Sequence, residues 1–313
     1  MTPQIYVTRP LPGTALTLLK NFGDVDVNPH EASLTKTELI RKLQGKTAVI
    51  TLLTDIIDKE VLDACPSLKV ISNYAVGFNN IDVKEAKARG IIVCTTPGIL
   101  TDSTADLTFA LILAVTRHLL AADHFTRTGQ FQGFSPTLFL GSSLAGKTLG
   151  IVGMGRIGEA VAKRALAFNM KIDYYNRSPK DYPEYQSRSL EYLLRESDIV
   201  SLHMAYTPEL THLIGEKQLA IMKCQAYLIN TARGPLIDER ALVRALESKR
   251  IKGAGLDVFE EEPRLTPGLS ALANVVLLPH IGSATVETRE QMAMLAVENL
   301  IAALEGRQPT AAA

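Results

Sequence analysis

The chain has 313 residues, with 33 Lys and Arg against 33 Asp and Glu and no Trp. Single hydrophobic cores stop growing near roughly 250 residues, so this length implies about two domains. Zero formal charge argues against a nucleic acid or anionic membrane as partner, and three widely spaced cysteines, Cys65, Cys94 and Cys224, suit neither a metal site nor a disulfide framework and fit a reducing cytoplasm.

The amino terminus lacks the basic-then-apolar pattern of an export signal, and Ile5 to Thr8 reads as a first strand. Further strands are predicted at Asp24–Val27, Ala48–Thr51, Val70–Ser72 and Ile91–Cys94. They alternate with helical stretches at Thr14–Asn21, Lys36–Leu43, Lys59–Ala64 and Val83–Arg89. After the Thr96-Pro97-Gly98 punctuation one long helix is expected from Asp102 to Thr128, capped by Asp102 or Ser103. Its most apolar window, Leu107 to Ala122, contains Arg117 and His118 and is too short for a membrane span, so it reads as a buried helix. An arm, Gly129 to Ser143, precedes six more strands: Thr148–Val152, Met170–Asn176, Asp198–His203, Ala226–Asn230, Gly253–Val258 and Val275–Leu278. A last helix, Val286–Gly306, is expected to pack back on the first unit. Strands alternating with crossover helices predict an α/β fold of two doubly wound parallel sheets.

The turn Gly153-Met-Gly155-Arg-Ile-Gly158 follows the apolar strand Leu149-Gly-Ile-Val152 and opens an amphipathic helix, Glu159 to Phe168. In such a turn the first glycine supplies the conformation, the second admits a pyrophosphate, and the third lets helix pack on strand. The helix N–H groups favour phosphate, and Arg156 adds a full charge. An NAD site usually carries a carboxylate at the end of the next strand to bind the ribose hydroxyls. Here that position is the neutral Asn176, followed by Arg177, Ser178 and Lys180, a cluster suited to a 2′-phosphate. NADPH is therefore the expected cofactor, with NADH as the alternative.

Three polar residues fall at the carboxyl ends of predicted strands, where open α/β sheets place ligands: Arg233, Glu262 and His280. Singly each has an ordinary structural explanation. Together they form an anion clamp and a carboxylate–histidine pair beside a hydride carrier. Reducing a 2-oxo acid puts negative charge on the carbonyl oxygen, which a protonated His280 can neutralise, and a neighbouring carboxylate favours that protonated form. Reduction should accordingly fall at high pH.

These motifs, with Asn73-Tyr-Ala-Val-Gly-Phe-Asn-Asn-Ile-Asp82 and His280-Ile-Gly-Ser-Ala-Thr285, resemble those of the D-isomer-specific 2-hydroxyacid dehydrogenases, and among them the glyoxylate and hydroxypyruvate reductases. The resemblance covers essentially the whole chain. It implies a flavodoxin-like substrate domain (1–98 with 284–313), a Rossmann dinucleotide domain (99–283) that includes a dimerisation arm, and an active site in the cleft between them. By carry-over, Arg233 holds the 2-oxo acid, Glu262 pairs with His280 as acid/base, and the Val76 and Gly77 amides receive the carboxylate. Leu53, at a strand end that faces this cleft by analogy, is expected either to limit substrate size or simply to pack in the core. Cofactor contacts fall to Gly153, Gly155, Arg156, Ile157, Gly158, Asn176, Arg177, Ser178, Thr207, Thr231, Ala232, Arg233, Asp257, His280 and Gly282, and no metal is implied. The family is typically homodimeric. Relatives often carry a Trp in the arm reaching toward the partner's pocket; Phe134 stands in the comparable place and lacks the indole donor, which weakens the case for hydroxypyruvate. Alternatives within the fold are D-lactate, 3-phosphoglycerate, formate or phosphite chemistry. Outside enzymes, the alternative is a dinucleotide-sensing corepressor, whose disordered tails this chain lacks.

Overall fold

The computed structural model describes residues 2–178 and 182–312, so Lys180 lies outside the described residues. The chain divides into two units, 1–100 with 283–313, and 101–282.

In the first unit β1 (Gln4–Val7), α1 (Ala15–Phe22), β2 (Asp24–Val27), α2 (Lys36–Leu43), β3 (Ala48–Thr51), α3 (Lys59–Ala64), β4 (Val70–Asn73), α4 (Val83–Ala88) and β5 (Ile92–Cys94) alternate. The strands form one parallel sheet in the order β2-β1-β3-β4-β5, the flavodoxin-like order. Strands β3 and β4 are buried along their whole length, as strands covered on both faces must be. Side chains alternate between two cores: Ile5, Val7 and Ile50 face one way with Leu19, while Tyr6, Val49 and Ile71 face the other with Leu39 and Val61. Helix starts are signalled locally. Thr35 and Glu38 form a reciprocal capping box, and Asp58 and Asp82 cap α3 and α4.

The second unit comprises α5 (Thr101–Thr116), α6 (Leu119–Arg127), β6 (Thr148–Val152), α7 (Arg156–Ala167), β7 (Lys171–Tyr175), β8 (Gln186–Ser187), α8 (Leu190–Glu196), β9 (Ile199–Leu202), α9 (Glu216–Ile221), β10 (Tyr227–Asn230), α10 (Glu239–Glu247), β11 (Gly253–Leu256) and β12 (Val275–Leu277). Its parallel sheet runs β12-β11-β10-β9-β6-β7-β8. The winding reverses between β6 and β9, the switch point where such sheets open for ligands. The last helix, α11 (Val286–Leu304), belongs to the first unit and buries Met292, Ala296, Val297 and Leu300 against its sheet.

Three expectations need correction. The single helix expected over Asp102–Thr128 is two, bent by 65° at Arg117-His118, and His118 takes a left-handed conformation with φ 55°. The arm causes the break: Thr116 C=O accepts from Ser142 N–H at 2.9 Å, and a Cβ on Gly141 would meet that carbonyl at 2.4 Å. The helix also begins at Thr101, so Asp102 and Ser103 lie inside it rather than capping it. Second, the sheet has seven strands, because the two-residue β8 adds an edge too short and polar to show periodicity. Third, α7 starts at Arg156 rather than Glu159, with Gly155 as its N-cap. No single helix among the described residues is long and apolar enough to cross a membrane.

Candidate active site

The glycine turn leaves β6 at the switch point, and each of its glycines answers a different steric demand. Gly153 has φ 101°, and a Cβ there would meet Met204 N at 2.7 Å, just beyond β9. A Cβ on Gly158 would meet Gly153 O at 2.4 Å, so the first turn of α7 packs directly on the strand end. A Cβ on Gly155 would meet nothing within 4 Å. The space above Gly155 faces the amino terminus of α7, where free N–H groups and the exposed Arg156 favour a phosphate. This cradle fits a dinucleotide pyrophosphate. Ile157 packs its side chain on the core, leaving its backbone for the site.

Asn176, at the end of β7, holds the turn itself. Its Oδ1 accepts from Met154 N–H at 2.7 Å, and its Nδ2 lies 3.5 Å from Met154 O. Arg177 and Ser178 follow as exposed residues. Across from them Thr207 precedes the short turn Pro208–Leu210. The Glu209 carboxyl is held below its usual range chiefly by Thr207, with a smaller contribution from Arg177. Also beside the switch point, burial pushes His203 down to about 3. Its Nε2 lies 2.8 Å from Ser201 Oγ.

Arg233 follows β10 in a turn organised by Asn230, which is fully buried. Asn230 Oδ1 accepts from Ala232 N–H at 3.0 Å, and its Nδ2 donates to Arg233 O at 2.8 Å. This clamp could be anticipated only as part of the Asn230-Thr-Ala-Arg233 motif; its role depends on the folded turn. Next in the chain, Gly234 admits no side chain, since a Cβ would meet Phe259 O at 1.9 Å. The Arg233 turn therefore lies against the loop that carries Glu262. Burial works against the Arg233 charge and lowers its pKa, while Glu262 supports it. Thr231 is buried, with its hydroxyl 2.9 Å from that of Thr108.

His280 Nδ1 lies 2.9 Å from Glu262 Oε2, and Glu262 Oε1 accepts from Phe259 N–H at 2.9 Å. Burial alone would raise the Glu262 carboxyl, but the His280 hydrogen bond, its charge, the Phe259 N–H and Arg233 together bring it below the usual range. His280 has φ 56°. A non-glycine residue there carries strain of order 1 kcal/mol or more, which the surroundings must over-determine. Asp257 does so. Buried at 1% exposure, it accepts from Ile281 N–H and Gly282 N–H at 2.8 Å each, locking the two residues after the histidine. Burial raises the Asp257 pKa despite those bonds. Gly282 is itself buried, with Asp257 Oδ2 3.3 Å from where its Cβ would stand.

The structure thus gathers Arg233, Asp257, Glu262, His280 and the glycine turn on the strand ends of the second unit. Val76, Gly77 and Leu53 sit in the first unit, on loops after β4 and β3, all partly buried. Among the described residues, neither the Val76 nor the Gly77 N–H donates to another group. Phe134 is 92% exposed in the arm.

The family described as D-isomer specific 2-hydroxyacid dehydrogenase, NAD binding domain, matches residues 109–282. A glyoxylate reductase of Thermococcus litoralis is 49% identical over 317 aligned residues, covering 99% of this chain and 96% of that protein. Among solved structures, a Thermus thermophilus protein superposes with TM-score 0.93 at 50% identity, covering 99% of each chain. An NADPH-dependent glyoxylate/hydroxypyruvate reductase of Sinorhizobium meliloti, solved with NADP and malonate, superposes with TM-score 0.90 at 32% identity, covering 100% of this chain and 97% of that one. With more than half of its residues matching the family description and a relative of this identity along its length, the chain belongs to the D-isomer-specific 2-hydroxyacid dehydrogenases.

Proposed function

We propose that the protein reduces small 2-oxo acids, glyoxylate before hydroxypyruvate, with NADPH preferred over NADH. The observation that carries this reading is the 2.9 Å contact between His280 Nδ1 and Glu262 Oε2. That contact leaves Nε2 as the ring atom free to serve a substrate. Relatives named for glyoxylate and hydroxypyruvate reduction support the substrate class.

A bound reduced nicotinamide supplies the hydride. The protein's residues do the rest. Arg233 grips the substrate carboxylate and carbonyl, whose negative charge offsets the burial that disfavours the guanidinium. Val76 and Gly77 amides add hydrogen bonds to the carboxylate. As hydride reaches the carbonyl carbon, its oxygen takes a proton from His280 Nε2, and the product is the 2-hydroxy acid. Glu262 holds the ring by Nδ1 while Nε2 gives up its proton, which leaves the imidazole neutral. Gly153, Gly155 and Gly158, with Arg156 at the helix start, hold the pyrophosphate. Since Asn176 puts no carboxylate at the ribose, the exposed Arg177 and Ser178 are the groups that take a 2′-phosphate.

A homodimer in a reducing cytoplasm completes the reading. Phe134, Leu140, Phe131 and Leu120 are all more than half exposed in the arm and α6, an apolar surface that a second copy would cover. Cys65 and Cys94 are buried thiols.

The test is a set of initial rates with glyoxylate, hydroxypyruvate and pyruvate, each with NADPH and with NADH. Glyoxylate with NADPH should give the highest kcat/KM. A wide advantage for NADH would overturn the cofactor assignment, and inactivity with all three acids would overturn the substrate class.

A further inference from the structure

The loops after β3 and β4 in the first unit are tied together by side chains that the catalytic reading does not use. Asn73, 0% exposed, ends β4, and Asn80, 4% exposed, closes the loop that follows it. Asn73 Nδ2 donates to Gly77 O at 2.9 Å and to Asn80 Oδ1 at 3.2 Å. Asn80 Nδ2 in turn donates to Leu52 O and to Asp55 O, both at 3.0 Å, on the loop after β3. The hydroxyl of Thr51, the last residue of β3, donates to Asn73 Oδ1 at 3.0 Å. The β3 loop is also closed from within, since Asp55 Oδ2 accepts from Leu52 N–H at 2.8 Å.

We propose that Asn73 and Asn80 are positioning residues for the substrate carboxylate. They fix the Gly77–Phe78 peptide, and through it the turn that carries the Val76 and Gly77 amides, against the 52–55 loop before substrate arrives. The inference rests on the reading that the Val76 and Gly77 amides receive that carboxylate. Only a primary amide offers two donors and an acceptor from one short side chain, and each of these amides uses both kinds of group. Gly77 C=O belongs to the Gly77–Phe78 peptide, so holding it restricts Gly77 and anchors the turn on which the Val76 and Gly77 N–H groups lie. Donors held in place before binding need no reorganisation when the anion arrives, which is where their advantage lies. Loss of Asn73 leaves Gly77 O without its donor, and loss of Asn80 leaves Asp55 O without its own while Leu52 O keeps Asp55 N–H, so the loops must shift to find a partner.

The experiment uses the full-length protein. Asn73→Ala and Asn80→Ala should raise KM for glyoxylate about tenfold or more, with kcat falling less than threefold and the NADPH Kd, read from nicotinamide fluorescence, within twofold of the parent. Thr51→Val removes one hydroxyl at nearly constant volume and keeps the test alive should the Asn variants fold poorly. It should raise KM about threefold, and Thr51→Ser should restore it. A parental KM in folded Asn73, Asn80 or Thr51→Val variants overturns the inference. So does a rise in KM matched by an equal loss of NADPH binding, which marks general destabilisation. A parent protein that reduces none of the acids overturns the underlying reading, and the inference with it.

Discussion

Asp257 and His280 come from different strand ends, yet Asp257 determines how the histidine is presented. Its two carboxylate oxygens hold the N–H groups of Ile281 and Gly282, the residues that follow the left-handed His280. The histidine can then hold Nδ1 against Glu262 without a glycine at its own position.

Replacing the pair separates its two duties. His280→Gln should lower kcat by roughly 10²–10⁴-fold, the usual range for a positioned general acid. NADPH Kd should stay nearly unchanged. Glu262→Gln keeps the shape but removes the carboxylate that holds the ring, so kcat should fall about tenfold or more with NADPH Kd near the parent value. Steady-state kinetics of both variants check this, and a parental kcat in Glu262→Gln would contradict the assigned role.

The glycines should differ sharply on substitution. Gly155→Ala meets open space, so Tm should hold while NADPH Kd rises about tenfold or more. Gly158→Ala drives a methyl toward Gly153 O at 2.4 Å and should lower Tm by several degrees. Calorimetry and fluorescence titration on both variants decide the matter.

Arg177→Ala should weaken NADPH binding by about tenfold or more and leave NADH binding nearly as it was, because a charge-assisted contact to the 2′-phosphate is lost. Parallel Kd measurements with the two cofactors provide the comparison.

His203 contributes to acid sensitivity. Its folded pKa, about 3, lies below the ordinary histidine value of 6.5, so below pH 6.5 the unfolded chain binds a proton that the folded chain refuses. Its contribution to stability is complete above 6.5 and is lost progressively as pH falls toward 3. His203→Gln should flatten the decline of Tm between pH 6 and 4. An unchanged slope would mean that the ring is solvated.

In solution the exposed aromatic and aliphatic residues of the arm should be covered. Light scattering is expected to show a mass of two chains, and Phe134→Asp with Leu140→Asp should shift it toward one.

Most elements were legible in the sequence because buried parallel strands are continuous β-branched runs and capped helices announce their starts. Strands β2 and β3 and helices α2 and α3 coincide with the residues expected. The bend at His118 was not legible, since Thr116-Arg117-His118 contains no helix breaker and the break depends on a carbonyl captured by Ser142, far along the chain. The site divides in the same way. Glycine spacing after an apolar strand and the identities of Arg233, Glu262 and His280 are local chemistry, so the sequence by itself determined the kind of reaction to look for. Tertiary structure alone decided which polar residues hold backbone around the candidate site. Asn176 on the glycine turn, Asn230 at Arg233, Asp257 behind His280, and Asn73 with Asn80 each bond main-chain groups whose positions exist only once the sheets have formed. A side chain's bonding capacity is written in its chemistry; the groups that meet it are set by packing.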